Sequence, residues 1–411
     1  MGAVRRATAA AVPAAAAFAA ACLSVPAYQP APLVSYRDDA TGSTISGSGF
    51  ELHLAGGSDF HFPDALSIDH TDVMGHDPAA ACWGQDGTGF AVVPTPRISA
   101  DGTAPPVTNQ LTAVLRGPAV VQVALEWTTR FSCGRNRAPG GSSTFTVFPD
   151  GRIVRHDRLD DPDPDKEQIA AAACACPDAP PLKDAFIVSS YWTFARDRFT
   201  RLSGLTAGNR DPTNPDMLDS SPGKITANYP TMCFDGGGYQ VASAWIVPPG
   251  QGSSAAPGPV TFGYAALFSH DLQKPSAPML DFRWDIHGAL FVEHAGCATA
   301  FRRALDYAQP AQLTIGSVAA AASPLDGIYG GDAGDGRTGI DVAGGRTTIT
   351  GATRQPFAVW LRFPQAIGLP HATRAGATGA WYVPQRIDDQ IWIVWFRDPL
   401  ADGETIVIEP D

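Results

Sequence analysis

Apolar and polar residues alternate along most of this chain with the two-residue period of strands rather than the helical period. Within residues 120–131, Val121, Val123, Leu125 and Trp127 share one face, and within 239–247, Val241 and Trp245 do the same. Residues 50–54 alternate likewise. Runs of this kind predict antiparallel strands with one face on a core. Further strands are predicted at 110–116, 185–194, 260–268, 289–293 and 313–318. Between Thr144 and His156, the turn Pro149-Asp150-Gly151 separates two runs of β-branched and aromatic residues, which predicts a hairpin. Helical spacing stands out only at 298–308, where Phe301, Leu305 and Ala308 form a stripe closed by Pro310.

Strands without alternating helices predict an all-β fold: a two-lobe antiparallel β-sandwich with one short helix near 298–308. Residues 28–312 are expected to form the large lobe. Residues 313–411 form a smaller C-terminal lobe, with strands at 347–350, 357–363, 380–384, 390–397 and 404–409. The segments 160–183 and 248–259 read as surface connections, the second rich in Gly, Ser, Pro and Ala.

Residues 1–27 change the picture of where the chain acts. Arg5 and Arg6 precede an Ala-rich run ending in small residues, the pattern of a signal peptide. One cut falls before Tyr28. The other treats Phe18-Ala19-Ala20-Ala21-Cys22 as a lipobox and attaches a lipid to Cys22. The expected location is therefore secreted, periplasmic or lipid-anchored at the cell envelope, with membrane contact through that anchor. An exported chain is expected to oxidise its remaining thiols, Cys82, Cys133, Cys174, Cys176, Cys233 and Cys297. Cys174 and Cys176 are one residue apart, so each is expected to bond a different partner strand.

Charge narrows the partners. Lys and Arg total 29 against 41 Asp and Glu, a formal net charge of −12, and only Lys166, Lys183, Lys224 and Lys274 are lysines. Such a surface repels phosphate backbones, so nucleic acid is not an expected partner. A polysaccharide or an envelope protein is.

Candidate chemistry falls into four groups. His53, His61, His70 and His76 are interleaved with Asp59, Asp64, Asp69, Asp72 and Asp77, a residue set suited to Zn or to general-base work. His70, Asp72 and His76 are the first choices for a metal, although no pair has the spacing of one strand or helix face. Alternate carboxylates at Asp161, Asp163, Asp165 and Glu167 suggest a Ca loop, but Lys166 stands where a sharp turn would require Gly. Asp332, Asp335 and Asp341 lie among glycines, another possible Ca loop. The GxGxxG match at 334–339 precedes no helical pattern and so is not a dinucleotide site. Finally, Trp360, Trp381, Tyr382 and Trp392 crowd the C-terminal lobe, and both faces of 391–396 are apolar. One face should enter the core, and the other should pack against the partner lobe or stack a sugar ring.

No GxSxG elbow, HExxH helix or P-loop occurs in the sequence. Two functions compete. The first is a glycan- or protein-binding β-sandwich using the C-terminal aromatics. The second is a carbohydrate-active enzyme, a hydrolase or lyase, with a His and carboxylate site in the N-terminal lobe. Glu126, Asp281, Asp285, His287, Glu293 and His294 lie in or beside strands and are candidates for the second. A purely structural envelope protein would show neither site.

Overall fold

The computed structural model describes residues 33–55, 63–74, 88–94, 107–129, 140–161, 186–195, 198–205, 216–218, 231–246, 256–257, 261–262, 265–273, 282–308, 312–321, 340–377 and 381–410. Among them the protein is all-β, with one α-helix, Cys297–Ala308, and a 3-10 turn at Ala343–Gly345. The expected hairpin is present: Gly140–Val147 pairs antiparallel with Arg152–Asp161 across 149–151. Gly151 takes φ +80°, and a Cβ there would stand 2.8 Å from the carbonyl of Val292, so the turn requires glycine.

This hairpin lies inside a nine-stranded sheet. On one side it continues through Val121–Thr129 to Val107–Arg116. On the other, Arg152–Asp161 pairs with Phe282–Glu293, which pairs with Gln240–Ile246. One face of this large sheet, carrying Val121, Val123, Leu125, Phe145, Val147, Ile153 and Leu290, is fully buried. A second sheet built on Phe186–Ala195 packs there, with Trp192 edge-on to Phe145 at 6.0 Å. Arg155 reaches into the same interface, its guanidinium 5.5 Å from the Phe145 ring and 5.8 Å from the Trp192 ring. A buried cation over two rings draws on their quadrupoles as well as on hydrogen bonding.

The helix forms because Cys297, Ala300, Phe301, Ala304 and Tyr307 make an apolar stripe, which lies on the other face of the large sheet. It is fixed by the Cys233–Cys297 disulfide at its first residue. Arg303 adds an ion cluster, meeting Asp150 Oδ2 at 2.9 Å and Glu293 Oε2 at 3.3 Å. One turn on, burial pushes the Asp306 carboxyl above the usual carboxylate range, against the pull of Arg354, which donates to Oδ1 at 3.0 Å.

Two smaller sheets follow. One contains Gln312–Ile315, Val318–Ala321, Thr347–Gly351, Thr405–Pro410 and Pro370–Arg374, and the other Ile340–Asp341, Phe357–Arg362, Ile391–Phe396 and Tyr382–Arg386. The single strand expected at 313–318 is a hairpin, because Gly316 turns the chain with φ +63°. One buried cluster joins Leu313, Ile349, Phe357, Trp360, Trp395 and Ile406 to Phe148, Val154, Ala289 and Phe291 of the large sheet and its turns. The N-terminal strands from Ser35–Asp39 to Thr71–Asp72 form a separate five-stranded sheet.

Candidate functional site

The register of the large sheet sorts its residues into rows, since directly opposed residues share a face. Val154 is opposite Ala289. Two residues further along, His156 is opposite His287 and Thr144; next, Arg158 is opposite Asp285 and Ser142; then Asp160 is opposite Arg283 and Gly140. The rows continue outward through Thr144 to Ala124 and through Ser142 to Glu126. All these positions lie on the face that carries the helix, because they have the parity of Val154.

That face is divided. At one end Phe148, Val154, Ala289 and Phe291 are buried under the helix and the C-terminal sheets, with Phe148 5.5 Å from Trp395 and Phe291 6.1 Å from Tyr307. Arg152 belongs to this covered end and stacks on Phe148 at 4.2 Å. Beyond Val154 the rows turn polar: Ala124, Ser142, Thr144 and His156 are half-buried, and Glu126 is exposed. Here the register sets a histidine opposite a histidine, flanked by a row that contains Glu126, Ser142, Arg158 and Asp285. Imidazole and carboxylate at neighbouring positions of one sheet face are residue types able to donate, accept and carry protons.

Two of these residues, Asp285 and His287, and also Glu126, belong to the expected carboxylate and histidine set. His156 was not foreseen. Its only signal is parity with Val154 through the 149–151 hairpin, which does not reveal its partner strand. Glu293 is occupied differently: it pairs with Arg303, and its Oε1 accepts from the backbone N–H of His294 and Ala295. His294 meets Asp69 at 3.0 Å, where Asp69 and His70 form a turn with φ +48° and +66°. Asp281 lies outside the described residues.

The aromatic platform expected at Trp360, Trp381, Tyr382 and Trp392 is corrected. Trp360, Trp381 and Trp392 are 1%, 7% and 6% exposed, and Tyr382 is half-buried and packs against the same core. Trp381 stacks on Phe396 at 5.6 Å. Both faces of Ile391–Phe396 are covered, so the second apolar face packs against protein and presents no stacking surface.

The metal candidates are dispersed among several partners. His70 is exposed, Asp72 accepts from the backbone N–H of Met74 at 3.0 Å, and His76 lies outside the described residues. His53 pairs with Asp64 at 2.6 Å. Among the described residues no group of three or more His, Cys, Asp or Glu is placed to hold a metal ion. Of the first Ca loop only Asp161 is described, at the end of its strand. Of the second only Asp341 is, exposed and 3.6 Å from Arg362. Cys22, Cys82, Cys133, Cys174 and Cys176 are outside the described residues, whereas Cys233 and Cys297 are bonded to each other.

No protein-family model and no curated protein matches the chain. Among solved structures it is similar to the mutarotase-type protein YeaD from Salmonella typhimurium, at 9% identity and TM-score 0.38, over 66% of this chain and 97% of that one. It is also similar to the α-N-acetylgalactosaminidase NagBb from Bifidobacterium bifidum, at 13% identity and TM-score 0.37, over 65% of this chain and 38% of that one. A third is the heparan sulfate lyase HepC from Pedobacter heparinus, at 8% identity and TM-score 0.30, over 75% of this chain and 38% of that one. At these scores the likeness contributes nothing to the reading of the site, which rests on the chain's own residues.

Proposed function

We propose that the chain is a carbohydrate-active enzyme that works by general acid–base catalysis at the polar end of the large sheet. The observation that carries this reading is the register that opposes His156 to His287, two residues beyond the buried pair Val154 and Ala289. An imidazole pair can offer one proton acceptor and one donor near neutral pH, so a proton can leave one position of a sugar while another is delivered. Ser142, Thr144 and Glu126 supply the alternating donors and acceptors that hydroxyl groups require.

Strand spacing disfavours Glu126 and Asp285 as the two carboxylates of a hydrolase. Glu126 and Asp285 lie on strands three steps apart, about 14 Å between backbones at the usual strand spacing. The carboxylate pairs of glycosidases stand about 5–10 Å apart. The histidine positions are one strand step apart, about 5 Å, close enough to serve the same sugar ring.

Export belongs to the same proposal. Residues 1–27 would direct the chain out of the cytoplasm, with Cys22 as an optional lipid anchor, and the Cys233–Cys297 disulfide suits an oxidising compartment.

The test is turnover of a polysaccharide and free-sugar panel by the purified protein, followed as new reducing ends, unsaturated products and anomer interconversion. His156→Asn and His287→Asn should each lower kcat by about 10²- to 10⁴-fold on any substrate that is turned over, with the unfolding midpoint nearly unchanged. Turnover that survives both substitutions would overturn the acid–base assignment. Saturable binding without turnover would return the protein to the binding class.

A further inference from the structure

We propose that His53 and Asp64, on the five-stranded N-terminal sheet, form a second proton-transfer site, a general base for the hydrolysis of carboxylic esters such as O-acyl groups on a sugar. The site uses other residues than the histidine pair of the large sheet and does not depend on them.

Its origin is a break in strand pairing. Phe50–Ala55 and Pro63–Ile68 pair one to one from Phe50 opposite Ile68 to His53 opposite Ala65, and then Leu54 is opposite Pro63. Asp64 is therefore the extra residue of a β-bulge, a feature that re-aims side chains. Regular alternation would send it to the face of Leu52, Leu54 and Leu66, each 0% exposed. Instead it shares the face of His53, where Asp64 Oδ1 meets His53 Nδ1 at 2.6 Å. Both side chains reach solvent, with exposures of 24% for His53 and 34% for Asp64.

Keeping a carboxylate out of an apolar core accounts for the bulge, but not for the partner that the carboxylate is given. A carboxylate only accepts, so the neutral imidazole beside it carries its proton on Nδ1 and its lone pair on Nε2. That is the orientation a general base needs, with the carboxylate placed to stabilise the imidazolium that forms. Nε2 takes a proton from water as the water oxygen bonds to the acyl carbon. When the tetrahedral intermediate collapses, the bond from that carbon to the alkoxy oxygen breaks, and the imidazolium returns the proton to the departing oxygen. The products are a carboxylic acid and an alcohol. Esters suit one such pair, because the same imidazole serves both steps, whereas a glycoside requires two separate carboxyl groups.

A histidine–carboxylate contact can also serve the bulge alone, and the experiment separates the two roles. The full-length wild type and its His53→Gln and Asp64→Asn variants are assayed for acetate release from p-nitrophenyl acetate and from O-acetylated xylan, and the histidine tautomers are read by nitrogen NMR. The wild type should release acetate, and His53→Gln should lower kcat by about 10²- to 10⁴-fold. Asp64→Asn, which keeps the imidazole, should lower kcat with KM nearly unchanged and mix the two ring tautomers of His53. Release by the wild type no faster than by His53→Gln would overturn the site. If Asp64→Asn lowers the unfolding midpoint and leaves kcat and the tautomer as they were, the contact serves the bulge and the positioning role of Asp64 is overturned. Should His53→Gln fail to fold, Asp64→Asn decides between the same two outcomes.

Discussion

The two ends of one sheet face use the same strands, the same alternation and the same parity, yet Val154 and His156, two residues apart, belong to different environments. Val154 is 1% exposed within the core it shares with the C-terminal sheets, whereas His156 is half-buried among polar positions. Neighbouring strands switch together: Ala289 gives way to His287, and Thr146, 1% exposed, to Thr144 and Ser142. Strand propensity is therefore indifferent to the boundary. What changes is what lies above the sheet, and the side chains follow the cover rather than the strand.

The sharpest way to break this contrast is to put the same carboxylate at both positions. Val154→Asp buries an unpaired charge and should cost about 3 kcal/mol or more, whereas His156→Asp should cost under about 1 kcal/mol in urea unfolding. Equal losses would mean that the two ends are equally enclosed. Next in size is the anchor of the cover. Replacing both Cys233 and Cys297 by Ser opens a link across 64 residues and should cost about 2–4 kcal/mol, with the remaining stability insensitive to a reductant in this part of the chain.

A smaller effect is expected at Asp306, on the covering helix. Its carboxyl titrates higher in the folded protein than in the unfolded chain, because burial outweighs the Arg354 and Arg302 cations. The folded state therefore holds this proton more tightly. The resulting stabilisation is complete below the unfolded pKa and is lost as pH rises through the folded one. Asp306→Asn should remove the pH dependence that sets in as pH rises above the ordinary carboxylate range, seen as parallel rather than converging unfolding curves. The least effect on stability belongs to the exposed Glu126: Glu126→Gln should shift the unfolding free energy by less than about 0.5 kcal/mol while lowering turnover. A large loss of stability there would show that Glu126 is structural.

Much of this architecture is legible in the sequence. The 149–151 turn, the helix and the C-terminal strands are signalled by local patterns, and local patterns survive folding when one face is apolar and the turn chemistry is explicit. The strand Phe282–Glu293 is longer than the expected 289–293: its first half alternates Phe282, Trp284 and Ile286 with Arg283, Asp285 and His287, a strand pattern that the shorter expectation leaves out. Its partner at 152–161 is distant in sequence, so the opposition of His156 to His287 is a product of topology that neither segment encodes alone. The C-terminal tryptophans mislead for a related reason. Apolar residues on both faces of Ile391–Phe396 state that both are dry, but not whether protein or a ligand keeps them so.

The side chain of Gln385 shows what such topology demands. Its Oε1 accepts the backbone N–H groups of Ala119 and Val120, at 2.9 and 2.8 Å, in a region closed to water. A chain terminated near residue 312 would retain both donors without their acceptor and would lose the packing of Trp395 on Phe148 as well. Expression of the first 312 residues by themselves should accordingly yield aggregates, and exchange of the last hundred for a foreign module should succeed only if the newcomer brings a hydrogen-bond acceptor to the same spot.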